Sequence, residues 1–488
     1  MRRKVTDYLL YRWRFIAGYS LIGLGITTLL VIAGIFVPGG LSAGELQSAT
    51  TSFNLSFSSF DPAMIIQLPY HLLQQASINL FGLSNLSIKL PSLLLGLGSA
   101  VGMLLLLKAW FRPNISILTT ILVITTGQFL YIAQSGTASI LYIFWSIWLL
   151  VSALMVSRHA RRSSIWKIAL FGIAALSLYT PLGVYILIAL ASAVALHPHL
   201  RYLVRRMFRF RLRVAIAATV ALVILLPLLY GLYKQPSLAL TLLGIPDAWP
   251  HLLDNAGRIL SQYFDFVSPS SGELMKPVYG LGPLLLIILG IFRLVTTNYT
   301  ARSYIITTWS VLLIPVLLIN PNFISITFVP AVILMAMGLN ALLGNWYNIF
   351  PKNPYARIAG LIPLTILVGG MVFSGAGRYI YGYTYDPNTA GYFSQDLRIV
   401  NTEIHNANDK PLLIITTKEQ QPFYAIIAAQ NENVTVKTAL PKPLPEGLVM
   451  MTRTARAAAV PTAQPTRIIT DNRSTDADRF YLYEKADK

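Results

Sequence analysis

The chain contains no cysteine among its 488 residues. Disulfide bonds, thiol catalysis and metal sites with cysteine ligands are therefore excluded. Charged residues are also scarce, at 12%, whereas soluble domains carry about 25%. Hydrophobic residues make up 55% of the chain, and the mean hydropathy is +0.60. These values indicate a membrane protein, and the net charge of +19 has to be interpreted in that setting.

Acidic residues are missing from long parts of the chain. The stretches 62–246 and 274–385 contain none. Ion-coupled transporters usually keep ionisable groups near the middle of the membrane, so this scarcity disfavours the hypothesis of a transporter or flippase. Two segments, 38–88 and 233–279, hold the acidic residues that lie between residues 8 and 385: Glu45, Asp61, Asp247, Asp254, Asp265 and Glu273.

Apolar runs recur along the first 378 residues. A helix needs about 20 apolar residues to cross about 30 Å of hydrocarbon. The first run, Phe15–Val37, is longer than the core of a typical signal peptide, so we interpret it as an uncleaved signal anchor, with a cleaved signal as the alternative. We predict about eleven transmembrane helices, near residues 15–37, 89–107, 115–133, 138–156, 168–180, 183–197, 214–232, 280–294, 303–319, 324–343 and 358–376.

Basic residues are distributed unevenly between the two sides that these helices define. Placing the amino terminus in the cytoplasm puts most basic residues of the membrane part on the cytoplasmic side, and an odd number of spans then puts the carboxyl terminus outside. The arginine-rich segment 201–213 resembles a nucleic-acid patch, but between two spans it indicates contact with lipid headgroups. We predict membrane lipids and no nucleic acid as partners. The basic residues expected on the outer side are Lys89, Lys234, Arg258 and Lys276.

The composition changes after Arg378, and most of the 19 acidic residues lie beyond it. We therefore predict a transmembrane domain over 1–378, with outer loops 38–88 and 233–279, and a small soluble extracytoplasmic α/β domain over 379–488. This tail has no glycine-rich phosphate loop, zinc-binding spacing or nucleophile elbow, which favours a structural or lid-like role. Its predicted elements are strands 412–417, 434–437, 447–451, 467–470 and 479–483, a helix 420–430 and a loop 455–466.

The first outer loop and the start of the next span carry the most informative motifs. Gly44-Glu45 follows the first span, Gln67-Leu68-Pro69-Tyr70 lies further along, and Lys89-Leu90-Pro91-Ser92 opens the second span. These motifs resemble those of the GT-C superfamily of membrane glycosyltransferases, which includes protein O-mannosyltransferases and aminoarabinose transferases. The similarity continues through Thr126–Ala133 and Tyr263–Pro269.

The motifs also depart from the pattern of that family. The family has an Asp-Glu pair where this chain has Gly44-Glu45, and His-Pro-Pro-Leu where it has Gln67-Leu68-Pro69-Tyr70. Lys89 replaces the arginine of Arg-Leu-Pro-Ser and keeps its charge. The resemblance implies an all-α polytopic membrane fold and transfer of a sugar from a polyprenyl-phosphate carrier to an extracytoplasmic acceptor. The lost residues support a second hypothesis, a catalytically silent relative that binds the lipid carrier or scaffolds envelope assembly.

The implied chemistry requires a carboxylate base for the acceptor, and cations or a metal for the phosphate of the donor. The resemblance assigns Glu45 as the base and Lys89 to the lipid phosphate, with Asp61 as a second acid. A solvated glutamate, a snorkelling lysine and an Asp-Pro turn are the ordinary alternatives. We assign no metal ligand, although donor phosphate and water could complete a divalent-cation site. The other candidate substrate contacts, each with packing or solvation as its alternative, are Gln67, Tyr70, His71 and Arg258.

Overall fold

The computed structural model describes residues 13–56, 61–158, 163–208, 211–246, 248–268, 272–296, 300–349, 354–393, 395–407, 410–441, 447–458, 464–470 and 479–484. Helices fill the chain as far as residue 406, and the strands begin at residue 412. In chain order the helices are α1 (Trp13–Ile35), α2 (Ala43–Phe53), α3 (Leu68–Phe81), α4 (Asn85–Trp110), α5 (Pro113–Ile124), α6 (Gly127–Gln134), α7 (Ile140–Arg158), α8 (Ser163–Ser177), α9 (Gly183–Leu196), α10 (Pro198–Phe208), α11 (Arg211–Lys234), α12 (Leu238–Leu242), α13 (Leu252–Phe264), α14 (Leu281–Thr296), α15 (Ala301–Ile319), α16 (Phe328–Ile349), α17 (Pro354–Tyr385), α18 (Pro387–Ala390), α19 (Leu397–Asn406), α20 (Gln421–Gln430) and α21 (Arg453–Ala458).

Every predicted span coincides with an apolar helix. Within the described residues, 6 helices are long and apolar enough to cross a membrane, or up to 8 if each of two bent pairs is one span. The shorter helices α8 and α14, together with α17, occupy the remaining predicted spans. The chain is thus a polytopic helical membrane protein, while the number of eleven spans stays a prediction.

Two sharp bends occur between neighbouring helices, one inside the predicted span 115–133 and one just after the predicted span 183–197. Helices α5 and α6 meet at 65°, and α9 and α10 meet at 104°. Helix α9 has 14 residues, which at a rise of 1.5 Å per residue fall short of the hydrocarbon thickness. Helix α10 presents Arg201, Arg205 and Arg206 to solvent. Most of the segment predicted as an arginine-rich loop is therefore helical, with residues 209–210 outside the described part.

Close packing of small residues holds the helices α14 and α16 together. A Cβ on Gly290 would collide with the carbonyl of Leu334, and a Cβ on Gly338 would collide with the carbonyl of Leu286. In a membrane such close approach increases the van der Waals contact between helices. Both helices also contribute buried side chains to the main apolar core.

The tail contains a five-stranded sheet in the order β2-β1-β3-β5-β4. Strand β1 runs parallel to β2 and β3, whereas β5 is antiparallel to β3 and β4. The predicted β-α-β start and later strands are present, but α21 begins the region predicted as a loop, where residues 459–463 lie outside the described part. The strands are β1 (Leu412–Ile415), β2 (Val434–Lys437), β3 (Leu448–Thr452), β4 (Arg467–Thr470) and β5 (Arg479–Glu484).

The tail and the segment 38–88, predicted as the first outer loop and called so below, share one buried apolar cluster. Leu46, Ile78 and Ile88 pack into the same cluster as Leu412 and Phe423 of the tail. Helix α17 continues to Tyr385, beyond the predicted boundary at residue 378. The division of the chain at this residue therefore stays a prediction, and the tail rests on the loop that carries Glu45.

Candidate active site

Glu45 is fixed at the start of α2 by a capping box. The backbone N–H of Glu45 donates to Ser42 Oγ at 3.4 Å, and the N–H of Ser42 donates to Glu45 Oε2 at 2.8 Å. The Ser-x-x-Glu spacing produces this arrangement, because each side chain reaches the N–H of the other residue. The other oxygen, Oε1, accepts from the N–H of Gly136 at 2.5 Å. The carboxylate thus ties the first outer loop to the loop after α6.

Lys89 lies beside this carboxylate. Its Nζ is 3.8 Å from Glu45 Oε1, and both side chains are fully buried. The same Nζ donates to the carbonyl of Gly40 and to Gln134 Oε1, both at 2.9 Å, and lies 6.0 Å from the ring centroid of Phe393. An ammonium group has three protons to donate. The carboxylate, the carbonyl and the amide oxygen around Nζ match these three donors.

The buried ion pair has electrostatic consequences. Burial raises the pKa of the Glu45 carboxyl, although Lys89 and the N–H groups of Gly136 and Ser42 oppose the rise. Removing the two charges from water costs on the order of several kcal/mol per ion. The attraction between them recovers this cost only if the geometry is good and the hydrogen bonds are complete. Lys89 and the two N–H groups offset part of this cost, because burial remains the largest influence on the pKa of Glu45. The assignment of Glu45 as the general base stays a prediction.

Glu273 of the second outer loop joins the same site. Its Oε2 accepts from the hydroxyl of Tyr131 at 2.8 Å, and its backbone carbonyl accepts from the hydroxyl of Tyr383 at 2.7 Å. The two tyrosine rings stack, with centroids 5.7 Å apart and an angle of 5° between their planes. Glu273 Oε1 is 3.8 Å from the position that a Cβ on Gly44 would occupy. The carboxylate of Glu273 therefore lies next to Gly44, a position of the first outer loop that has no side chain.

Arg378 adds a cation at the same end of the helices. It is half-buried on α17, and its buried Nη2 has no hydrogen-bond partner among the described residues. Both Arg378 and Glu273 lie within electrostatic range of Tyr383. The next residue, Tyr379, donates to the carbonyl of Val37 at 2.7 Å. In the sequence, Arg378 marks only the point where the composition changes, and no local motif distinguishes it.

Tyr70 and His71, on α3, make hydrogen bonds to the helices that carry Lys89 and Glu45. The hydroxyl of Tyr70 and Ser92 Oγ are 2.8 Å apart, and His71 Nδ1 is 2.8 Å from Ser52 Oγ. Burial lowers the pKa of His71 to about 4, so the ring is neutral near pH 7. Gln74 accepts from Ser52 and donates to the carbonyl of Gly136. These residues support the backbone that holds Glu45, and their predicted contact with substrate stays a prediction.

Three other candidates lie apart from this cluster. Asp61 is exposed and caps a short 3-10 helix by accepting from the N–H of Ala63 at 3.0 Å. Gln67 has a left-handed backbone, with φ of 60°, directly before α3. Arg258 is exposed on α13. Within the described ranges, no hydrogen bond or ion pair joins these residues directly to Glu45, Lys89 or Glu273, so their roles stay predictions.

The residues of this site fit a divalent cation poorly. No group of three or more His, Asp or Glu side chains that could hold a metal occurs in the described part of the chain. Both oxygens of Glu45 already accept hydrogen bonds, which leaves Glu273 Oε1 as the open carboxylate oxygen. Divalent cations such as Ca²⁺ prefer about six or more oxygen ligands. We therefore derive no step through a metal.

The fold is similar to solved structures, although no family model and no curated protein sequence matches the chain. ArnT from Cupriavidus metallidurans in the apo state has a TM-score of 0.52 and 14% identity, with 96% of this chain and 98% of that chain covered. The chain therefore shares the overall fold of ArnT. The archaeal oligosaccharyltransferase AglB from Archaeoglobus fulgidus, in complex with an inhibitory peptide and a dolichol-phosphate, has a TM-score of 0.50 and 12% identity. That comparison covers 85% of this chain and 64% of AglB.

Proposed function

We propose that the protein is a GT-C-like glycosyltransferase that moves a sugar from a polyprenyl-phosphate carrier to an extracytoplasmic acceptor. The observation that carries this proposal is the meeting of Glu45 and Glu273, from two separate outer loops, around Gly44. Acidic residues are scarce in this part of the chain, and two of them lie close together beside basic side chains. The dolichol-phosphate in the AglB complex supports a lipid phosphate as the carrier in the same fold.

The proposed reaction needs a base and a cation. A carboxylate removes the proton from an acceptor hydroxyl or amine, and the acceptor atom then attacks the anomeric carbon of the sugar. The bond between that carbon and the phosphate oxygen breaks, and the electron pair leaves with the polyprenyl phosphate. Glu45 is the base that the sequence favours, and Glu273 is the alternative. The rings of Tyr131, Tyr383 and Phe393 pack against one another beside Glu273.

A donor panel tests this function. The purified protein in nanodiscs is given polyprenyl-phosphate-linked hexoses, pentoses and amino sugars, together with a detergent extract of the envelope as acceptor. We expect release of polyprenyl phosphate from at least one donor. The double variant Glu45→Gln/Glu273→Gln removes both bases and should lose this release; because it also breaks the buried Glu45–Lys89 pair, its thermal unfolding midpoint is measured alongside to show that it is folded. No release from any donor would contradict the proposal.

A second candidate function is a carrier-binding or scaffold protein without turnover. It is favoured by Glu45 and Lys89, whose polar atoms are largely taken up by hydrogen bonds within the protein. Such a protein binds sugar-free undecaprenyl phosphate but releases nothing from any donor. Carrier binding measured by native mass spectrometry, alongside the donor panel, separates the two functions.

A further inference from the structure

We infer that Glu273 and Arg378, rather than Glu45 and Lys89, are the groups that meet the acceptor and the phosphate of the donor. This inference rests on the proposed function and assigns its two reacting contacts. It moves the chemistry from the first outer loop to the second outer loop and the end of α17. Glu45 and Lys89 then act as positioning residues.

The first step is that Glu45 and Lys89 are not available. Neither side chain has any solvent-exposed surface. The carboxylate accepts from two backbone N–H groups and faces Lys89, and Lys89 donates to Gly40 and Gln134. A general base must come within about 3 Å of the proton that it removes. An acceptor could approach Glu45 only if this network were dismantled.

The second step is that Glu273 is available. It is half-buried, and its described hydrogen bonds engage Oε2 and the backbone carbonyl but leave Oε1 open. The Tyr131 hydroxyl fixes the carboxylate, as a residue that orients a base should. Because Gly44 has no side chain, Oε1 can reach the space beside the first outer loop. Any larger residue at this position would narrow that space.

The third step concerns Arg378. Within the described residues, no carboxylate pairs with its guanidinium, and the stretch 274–385 that surrounds it in sequence contains no acidic residue. A half-buried cation without an anion is costly and is usually retained for a task. Guanidinium groups bind phosphate through paired N–H donors. Its Nη2 is buried without a hydrogen-bond partner among the described residues, and an anionic phosphate that binds beside the half-buried guanidinium would supply the missing acceptor.

These positions define one transfer step. The acceptor hydroxyl or amine gives its proton to Glu273 Oε1 and attacks the anomeric carbon. The phosphate leaves with the electron pair of the broken bond, and Arg378 offsets its negative charge. Tyr131 keeps Glu273 oriented, and the Glu45–Lys89 pair keeps Gly44 against it. No oxidant, reductant or further reactant is required.

Glu273→Gln tests the base. We expect the turnover number to fall by at least about 100-fold, because a general base typically contributes that factor or more, while binding of undecaprenyl phosphate is unchanged. Gly44→Asp in the Glu273→Gln background should restore part of the turnover, since it puts a carboxylate into the same space. Full turnover in Glu273→Gln would overturn the assignment. Retained carrier binding shows that the variant is folded.

Arg378→Gln tests the phosphate contact. We expect about tenfold or greater weakening of binding to sugar-free undecaprenyl phosphate in nanodiscs, from the loss of charge-assisted hydrogen bonds. Arg302→Gln is the matched control, because Arg302 is another half-buried arginine and lines a cavity of about 220 Å³ at the opposite end of α14. Equal binding by wild type and Arg378→Gln would overturn the assignment. Displacement of the carrier by an equal concentration of inorganic phosphate would overturn it in favour of a free-anion site.

The two arms separate this inference from the proposed function. If wild type releases polyprenyl phosphate and Glu273→Gln does so equally well, only the inference fails. If wild type releases nothing from the donor panel, the proposed function fails and the assignment of the base fails with it. The binding arm still decides Arg378 in that case, because it uses the carrier without a sugar.

Discussion

At the scale of single residues, the Glu45–Lys89 pair shows how a membrane protein can bury two charges. Each charge has neighbours that replace water: two N–H groups for Glu45, and a carbonyl and an amide oxygen for Lys89. Breaking one half of such a pair is usually more damaging than replacing both halves with neutral groups. The pair should therefore respond very differently to single and double substitution.

We expect Lys89→Met to destabilise the protein by about 3–5 kcal/mol, because Glu45 would remain buried without its cation. Glu45→Gln/Lys89→Met should recover much of this loss, since no charge remains. The measurement is the midpoint of thermal unfolding in detergent. Lys234→Met is the control, because Lys234 is exposed at the end of α11. An unchanged midpoint for Lys89→Met would contradict the structural role of the pair.

The low pKa of His71 predicts a loss of stability in acid. Its folded pKa is about 4, below the ordinary value of 6.5, because burial disfavours the charged ring. The unfolded chain then binds more protons than the folded one as pH falls from about 6.5 towards 4, so unfolding becomes easier over that range. We expect the unfolding midpoint to fall less steeply in His71→Gln than in wild type. Parallel pH profiles would contradict this reading of the burial.

At the scale of elements, the sequence predicts local structure better than it predicts contacts between distant segments. The tail strands and the capping box of α2 follow from short patterns that act within a few residues. The family resemblance assigns roles to Glu45 and Lys89, and these two residues are in contact in the structure. The sequence shows Glu273 only as one of the acidic residues of segment 233–279, because its place beside Gly44 depends on how two distant loops pack. No sequence pattern marks Arg378 apart from the change in composition that follows it.

A polar cluster adds to the apolar contact between the tail and the first outer loop. Asn85 Nδ2 donates to Asp396 Oδ1 at 2.7 Å, the N–H of Leu397 donates to Asn85 Oδ1 at 3.1 Å, and Arg398 Nη2 donates to Asp396 Oδ2 at 2.7 Å. Gln395 adds a backbone bridge to Leu41. Asp396 is therefore shared between the start of α4 and the start of α19.

We expect Asp396→Ala to loosen the tail from this loop, because it removes the carboxylate that Asn85 and Arg398 share and leaves them only the carbonyl of Gly39 as a common acceptor. Hydrogen exchange measured by mass spectrometry should become faster in α19 and in residues 39–42. Glu403→Ala is the control: Glu403 pairs with Arg467 inside the tail, so its effect should stay within α19 and β4. Equal exchange at residues 39–42 in wild type and Asp396→Ala would contradict the proposed contact.

At the scale of the whole molecule, charge divides the protein into two ends. The candidate site lies near the start of α14, where the loops that carry Glu45 and Glu273 meet. The other end of α14 carries Arg293 and the cavity that Arg302 also lines, and α10 presents exposed arginines. Basic residues favour the cytoplasmic side of a membrane. We therefore propose that the candidate site and the tail are extracytoplasmic.

The absence of cysteine makes this orientation directly measurable. Tyr202→Cys on α10 and Thr402→Cys on α19 each place one thiol at an exposed position of a cysteine-free chain. A membrane-impermeant maleimide added to intact cells should label Thr402→Cys, whereas Tyr202→Cys should react only after the membrane is opened. The reason is that α19 lies on the side of the acidic loops, and the arginines of α10 face the side that attracts basic residues. Labelling of both thiols after permeabilisation is the control for access. The reverse pattern in intact cells would invert the topology, and would place the Glu273 and Arg378 site in the cytoplasm.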